Sequence, residues 1–155
     1  MMVGRRTAAL AIVGVALAGC GMPTSGQPDT SGEAQSLWSA RSAYVGDNSR
    51  MVALVREVGP GPAGSYSIEL QTAQPPYGMT IALTQLEKPF DDTDFSEQAT
   101  LLLGLVANLD RVSVTSGGHA YSLTSAGASK QLGYDVKELG RDQGRLGAYL
   151  DLARD

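Results

Sequence analysis

The 155-residue chain predicts an α+β fold: a small, mainly antiparallel sheet of about four strands in two hairpins, with helices packed on one face. Three observations lead there. Apolar and polar residues alternate in two pairs of short runs, the period of half-buried strands. Between the pairs, residues 95–108 are apolar nearly all round, the mark of a central core helix. Outside them, apolar residues recur at helical spacing. The order helix, hairpin, helix, hairpin, helices is that of an α+β domain.

The folded body is read as one domain over residues 37–155, the size of a single core. Leu37-Trp38 and Tyr44-Val45 are its first large apolar groups. Gly46-Asp47-Asn48-Ser49 turns into a helix, with Asp47 or Asn48 as N-cap; a short acceptor there satisfies a free N–H of the first turn. Met51, Val52, Val55 and Val58 share one side of residues 49–58, and the GPGPAG run at 59–64 ends the helix. In residues 66–72, Tyr66, Ile68 and Leu70 take one face while Ser67, Glu69 and Gln71 take the other. Met79, Ile81 and Leu83 repeat the alternation, and residues 73–78 link the two runs as a hairpin loop.

Asp91-Asp92-Thr93-Asp94 is a polar loop whose carboxylates suit the positive end of the next helix. Leu101, Leu102, Leu103, Leu105, Val106 and Leu109 make that helix the core. Residues 111–115 alternate again, Ser116-Gly117-Gly118 turns, and residues 119–124 return as the fourth strand. Short helices complete the chain at 125–132, 135–139 and 142–153. Asp135 and Glu138 have the spacing of a capping box. Leu146, Tyr149, Leu150 and Ala153 line one face of the last helix, which Gly144 and Gly147 weaken, so it needs the body to form.

Ahead of the body, Arg5 and Arg6 precede residues 8–18, an uncharged apolar run. It is shorter than the roughly 17–25 residues that cross a hydrocarbon core. The run ends in Leu17-Ala18-Gly19-Cys20, which resembles the lipobox of bacterial lipoproteins. The resemblance implies a signal peptide over residues 1–19 and cleavage before Cys20. It also implies acyl chains, such as palmitate, on the Cys20 sulfur. Two or more chains make a stable membrane anchor, at ~0.8 kcal/mol per buried methylene. Cys20 is the sole cysteine, so packing alone must hold the body. Residues 20–36, rich in Gly, Pro, Ser and Thr, are expected to be the lipidated cysteine and a flexible tether.

Charge narrows the function. The chain carries 12 Lys and Arg against 16 Asp and Glu, a net of −4. Arg5 and Arg6 supply two of the positive charges, so from residue 21 onward the balance is −6. No basic stripe is legible, which argues against nucleic-acid binding and against electrostatic attraction to anionic lipid. Membrane attachment must then be covalent or hydrophobic.

Catalytic equipment is sparse. His119 is the only histidine, and it follows a Gly-Gly turn. No G-x-S-x-G, S-x-x-K, H-E-x-x-H or C-x-x-C pattern occurs, nor a glycine-rich phosphate loop with lysine. No enzyme, cofactor or metal is expected. Glu87, Asp91, Asp92, Asp94 and Glu97 are the only metal candidates, and Asp92-x-Asp94-x-Ser96 opens like a calcium loop. Glu97 stands where that loop needs glycine, however, and Leu103 where it needs glutamate. A solvated helix-leading loop accounts for them.

Four blocks carry a second resemblance: Tyr44-Val45-Gly46-Asp47-Asn48-Ser49, Ile68-Glu69-Leu70-Gln71-Thr72, Pro76-Tyr77-Gly78-Met79-Thr80 and Ala107-Asn108-Leu109-Asp110. In order and spacing they resemble an extracytoplasmic domain family of uncharacterised function. That family is found in small bacterial lipoproteins and on membrane antirepressor peptidases of the β-lactam sensor type. The resemblance spans residues 37–155 and implies sensing or regulation outside the membrane. Turn and cap chemistry gives each block a plain structural account as well.

The leading expectation is a non-catalytic, lipid-anchored binding or sensing domain at the outer face of the cytoplasmic membrane. Its partners are the membrane, through Cys20, and a candidate envelope protein. The expected contact rim holds Tyr44, Asp47, Asn48, Glu69, Gln71 and Tyr77. Second stands a carrier of a lipid or cell-wall fragment in an apolar cavity, and third an envelope hydrolase.

Overall fold

The computed structural model describes residues 30–59 and 63–154. The expected signal peptide, Cys20 and the first part of the expected tether lie outside the described residues. The elements in chain order are α1 (Thr30–Ala40), α2 (Asn48–Val58), β1 (Ala63–Gln71), β2 (Gly78–Leu86), α3 (Ser96–Leu105), β3 (Arg111–Ser116) and β4 (His119–Thr124), followed by α4 (Ser125–Leu132), α5 (Glu138–Arg141) and α6 (Gln143–Arg154). The strands form one sheet in the order β1-β2-β3-β4. Two antiparallel hairpins, β1–β2 and β3–β4, meet along a parallel β2–β3 pair. A parallel pair needs a crossover, and α3 supplies it. The α+β architecture is the one the alternation and the central apolar segment predict.

Period-two patterning gives the sheet two unlike faces. Leu70, Met79, Val112 and Leu123 form one cross-strand row, and Ile68, Ile81, Val114 and Tyr121 the next. These rows pack against the core, in which every residue of α3 from Ala99 to Leu105 is buried. The opposite face carries Glu69, Thr80, Ser113 and Ser122 in one row and Ser67, Ala82, Thr115 and Ala120 in the next. These residues are exposed or half-buried. Small polar side chains can stay hydrated there, so one-sided burial suffices.

Several sequence expectations need correction. Helix α1 begins at Thr30, inside the segment expected to be tether. Ala34 and Leu37, on one helical face, are buried. Ser36 Oγ donates to Glu57 Oε2 of α2 at 2.6 Å, and Gln143 Nε2 of α6 donates to Gln35 Oε1 at 2.7 Å. Glu33 also pairs with Arg154 of α6. Docking on α2 and α6 overrides the weak helical propensity of a Gly/Ser/Thr-rich segment. In α2 the buried residues are Met51, Leu54 and Val55, whereas Val52 is exposed. Helix α3 stops at Leu105 instead of reaching Asn108, because Val106 turns extended and bridges Ser42. Ser42 N–H donates to Leu105 O, and Ala107 N–H donates to Ser42 O, each at 2.9 Å. The capping box at Asp135 and Glu138 does not form. Asp135 Oδ1 instead accepts from Lys137 N–H, α5 starts at Glu138, and the Glu138 carboxylate faces Arg141 and Arg145.

Candidate functional site

The six expected rim residues fall into two neighbourhoods. Tyr44, Asp47 and Asn48 stand at the corner between α1 and α2. Tyr44 is 70% exposed, a large aromatic in water. Asp47 is the N-cap of α2: its Oδ1 accepts from Arg50 N–H at 3.1 Å, and its Oδ2 lies 3.5 Å from Arg50 Nε. Asn48 is the exposed first residue of that helix. Glu69 and Gln71 lie on the open face of β1, and Tyr77 leads into β2, half-buried against the core. Gln71 Nε2 donates to Thr80 Oγ1 at 3.2 Å. Its side chain crosses Gly78 so closely that a Cβ there would lie 2.5 Å from Gln71 Oε1. Among the described residues, no hydrogen bond or ion pair joins the two neighbourhoods directly.

What joins them is the segment after α3. Asn108 Oδ1 accepts from Val45 N–H at 2.7 Å, and Asp110 Oδ2 accepts from Tyr77 N–H at 3.0 Å. Tyr77 O in turn accepts from the N–H groups of Asp110 and Arg111. Three of the four resemblance blocks are therefore tied into one hydrogen-bonded cluster that pins the α1–α2 corner and the β1–β2 loop to the end of α3. This favours the structural account of Asn108, whose side chain ties down a distant turn.

The acidic loop is similarly occupied. Asp94 Oδ1 accepts from Ser96 N–H at 2.8 Å, and its bonds to Ser96 hold its carboxyl below the usual carboxylate value. Burial, with Asp94 nearby, pushes Glu97 upward. Asp91 Oδ1 lies 3.2 Å from Nδ1 of the exposed His119, whose ring stacks at a tilt on Phe90. Among the described residues, no group of three or more His, Cys, Asp or Glu side chains is placed to hold a metal ion.

A concavity of about 380 Å³ opens where the α1–α2 corner, the end of α3 and α5 meet. Gly104 and Gly140 are among its lining residues, where α3 and α5 touch. A Cβ on Gly140 would lie 2.5 Å from Gly104 O, and one on Gly104 would lie 2.8 Å from Leu139 Cβ, so only glycine lets α5 approach this closely. Arg41, Arg50, Lys137 and Arg141 line it, and no carboxylate does. Lys137 is the half-buried member. Its Nζ donates to Leu103 O (2.6 Å) in the last turn of α3, to Val106 O (2.9 Å) at its C-cap and to Leu109 O (2.6 Å) in the segment that follows. A cation is favoured at that negative end of the helix. Burial pushes the ammonium down to about 8, partly offset by Asp110 and Asp135. It thus stays protonated at neutral pH with all three protons engaged, a cap for α3 and not a nucleophile.

Sequence reasoning missed this site. Arg41 and Arg50 lie nine positions apart and Arg141 far downstream, so a search for a contiguous basic stripe passes over them. The convergence exists only because α5 returns to the end of α3.

No curated protein and no solved structure matches the chain. A family match covers residues 37–125, more than half of the chain and all four resemblance blocks. It ends at the first residue of α4, so α5, with Lys137, Gly140 and Arg141, lies beyond the stretch matched. Over that range the chain belongs to the family described as Domain of unknown function (DUF4825).

Proposed function

We propose that the chain is a lipid-anchored extracytoplasmic binding or sensing domain without catalytic activity, regulatory at the cell envelope. Acyl chains on Cys20 hold it at the outer face of the cytoplasmic membrane. The observation that carries this reading is the placement of the sole cysteine at the end of Leu17-Ala18-Gly19-Cys20, directly after a short apolar run led by two arginines. Kinship with the extracytoplasmic parts of lipoproteins and membrane antirepressor peptidases belongs to the same proposal.

A binding role draws support from the exposed Tyr44 at a corner pinned by the Asn108 side chain, which gives a contact surface on a fixed backbone. A non-catalytic role draws support from the engagement of the chemically versatile groups. His119 faces Asp91 in solvent, and Lys137 is held by three carbonyls. The carrier alternative draws less support, since Met79, Ile81, Val112, Val114 and Leu102 fill the space between α3 and the sheet.

Site-specific photocrosslinking in bacterial envelopes tests the reading. A crosslinker at Tyr44 is expected to give one discrete adduct. Alanine substitution of Asp47, Asn48, Glu69, Gln71 and Tyr77 abolishes the adduct in a chain that still folds. A discrete adduct unchanged by those substitutions would remove the rim from the proposal. Lipid retained in native mass spectra of the detergent-exchanged chain would favour the carrier.

A further inference from the structure

We infer that the concavity between the α1–α2 corner, α3 and α5 is a binding site for a phosphate-type oxyanion, carried by an anionic lipid headgroup or free in solution. The inference rests on reading the domain as a binding module and names the ligand chemistry of a site separate from the expected rim. Four cationic side chains line one pocket of a chain whose net charge is −4. Their acidic partners stand outside the lining: Asp47 beside Arg50, and Asp135 and Glu138 beside Arg141. A concave wall of one sign concentrates the opposite charge.

Lys137 spends its protons on α3, so the ligand must be met by the arginines. Arg41 Nη1 donates to Trp38 O at 2.6 Å, and its guanidinium lies 4.0 Å from the centre of the Trp38 ring. Arg50 Nη1 reaches the backbone carbonyl of Arg41 at 3.4 Å, which holds the Arg50 side chain against the Arg41 main chain. Arg141 Nη1 is 3.0 Å from Asp135 Oδ2. Among the described residues, Nη2 of each of the three donates to no protein group. Arg50 opposes the dipole in the first turn of α2, and its exposed pairing with Asp47 offsets that only in part. Each guanidinium thus keeps its Nη2 for a ligand, and a group with three or four oxygens can accept from three such donors at once. Gly104 and Gly140, which line the concavity, let α3 and α5 meet closely enough to bring Arg141 to it.

The test uses the full acylated chain and backbone amide NMR at Ser42, Gly104 and Gly140. Inorganic phosphate is titrated into the chain in neutral detergent. In a second arm the chain sits in nanodiscs of phosphatidylcholine alone or with one third phosphatidylglycerol. Saturable shifts with phosphate identify a free oxyanion; shifts confined to the phosphatidylglycerol discs identify a headgroup, and either result supports the site. Arg41→Gln, Arg50→Gln and Arg141→Gln are each expected to weaken binding about tenfold or more, the loss of a charge-assisted hydrogen bond. Lys130→Gln, an exposed cation on α4, leaves it unchanged. Arg41→Lys keeps the charge and serves if Arg41→Gln does not fold. Absence of saturable shifts in both arms, or equal loss with Lys130→Gln, would overturn the site. A neutral ligand found in the concavity would also overturn the oxyanion assignment, while the binding reading of the domain would stand on its crosslinking result.

Discussion

Lys137 shows how one side chain can settle the end of a helix. Three carbonyls at and just after the close of α3 converge on its ammonium. Lys137→Met keeps the length of the stem but strands Leu103 O and removes a charged donor from Val106 O and Leu109 O, which keep Leu109 N–H and Ser125 Oγ. It is expected to cost about 2–4 kcal/mol, measured by chemical denaturation, the range for breaking a buried charged hydrogen-bond set. A loss below about 0.5 kcal/mol, the size expected of an ordinary surface change, would contradict the capping role. Asp94 makes the complementary case in acid. Its carboxyl is held below the ordinary 3.8 by its bonds to Ser96. A depressed acid contributes stability above its unfolded value and loses it as pH falls through the lower folded value. Asp94→Asn keeps an acceptor for Ser96 N–H but has no proton to gain, so its denaturation midpoint should fall less steeply than wild type below pH 3.8. Parallel acid limbs would show that Asp94 is not linked to folding.

At the scale of elements, legibility followed the strength of the local pattern. The four strands were readable because alternation marked them from within the chain, and α4 lies at the expected residues 125–132, framed in the structure by Thr124 and Gly133. Thr124 Oγ1 accepts from Gly127 N–H at one end, and Gly133 takes a positive φ at the other. Helix α1 was not readable, since its helicity comes from neighbours distant in sequence, α2 and α6. The early stop of α3 was hidden for the same reason: the Ser42 bridge that pulls Val106 extended comes from more than sixty residues upstream. These two differences make α1 the element to perturb. Ala34 is 5% exposed. Ala34→Asp buries an unpaired charge there and is expected to destabilise the domain by about 2–4 kcal/mol. In a solvated tether the same change would be silent, so a denaturation midpoint indistinguishable from wild type would contradict the docking of α1. Gly140→Ala probes the α3–α5 contact. A Cβ meets backbone at Gly104 O, so a loss of about 1–3 kcal/mol is expected by thermal unfolding, and a neutral result would contradict the close approach.

The whole molecule sets a one-sided sheet on a helical layer, with the Asn108 and Asp110 cluster fastening the α1–α2 corner and the β1–β2 loop to the end of α3. The fold class was legible because core-forming alternation is local. Within the expected rim, the N-cap role of Asp47 was legible from its turn, whereas the cross-strand bond of Gln71 to Thr80 needs the hairpin register. The cationic concavity was not legible at all, because bulk charge averages over an acidic surface what the topology gathers in one place. Beyond the matched family stretch, α5 completes that concavity, so the proposed oxyanion site depends on residues outside it. A role at the envelope requires that the chain reside at the membrane. Intact-mass spectrometry of the protein extracted from bacterial membranes tests this most directly. The account predicts a chain starting at Cys20 with the added mass of a diacylglyceryl group, and a Cys20→Ser chain that keeps residues 1–19 and gains no lipid. An unmodified Cys20 in a chain recovered from the soluble fraction would contradict it.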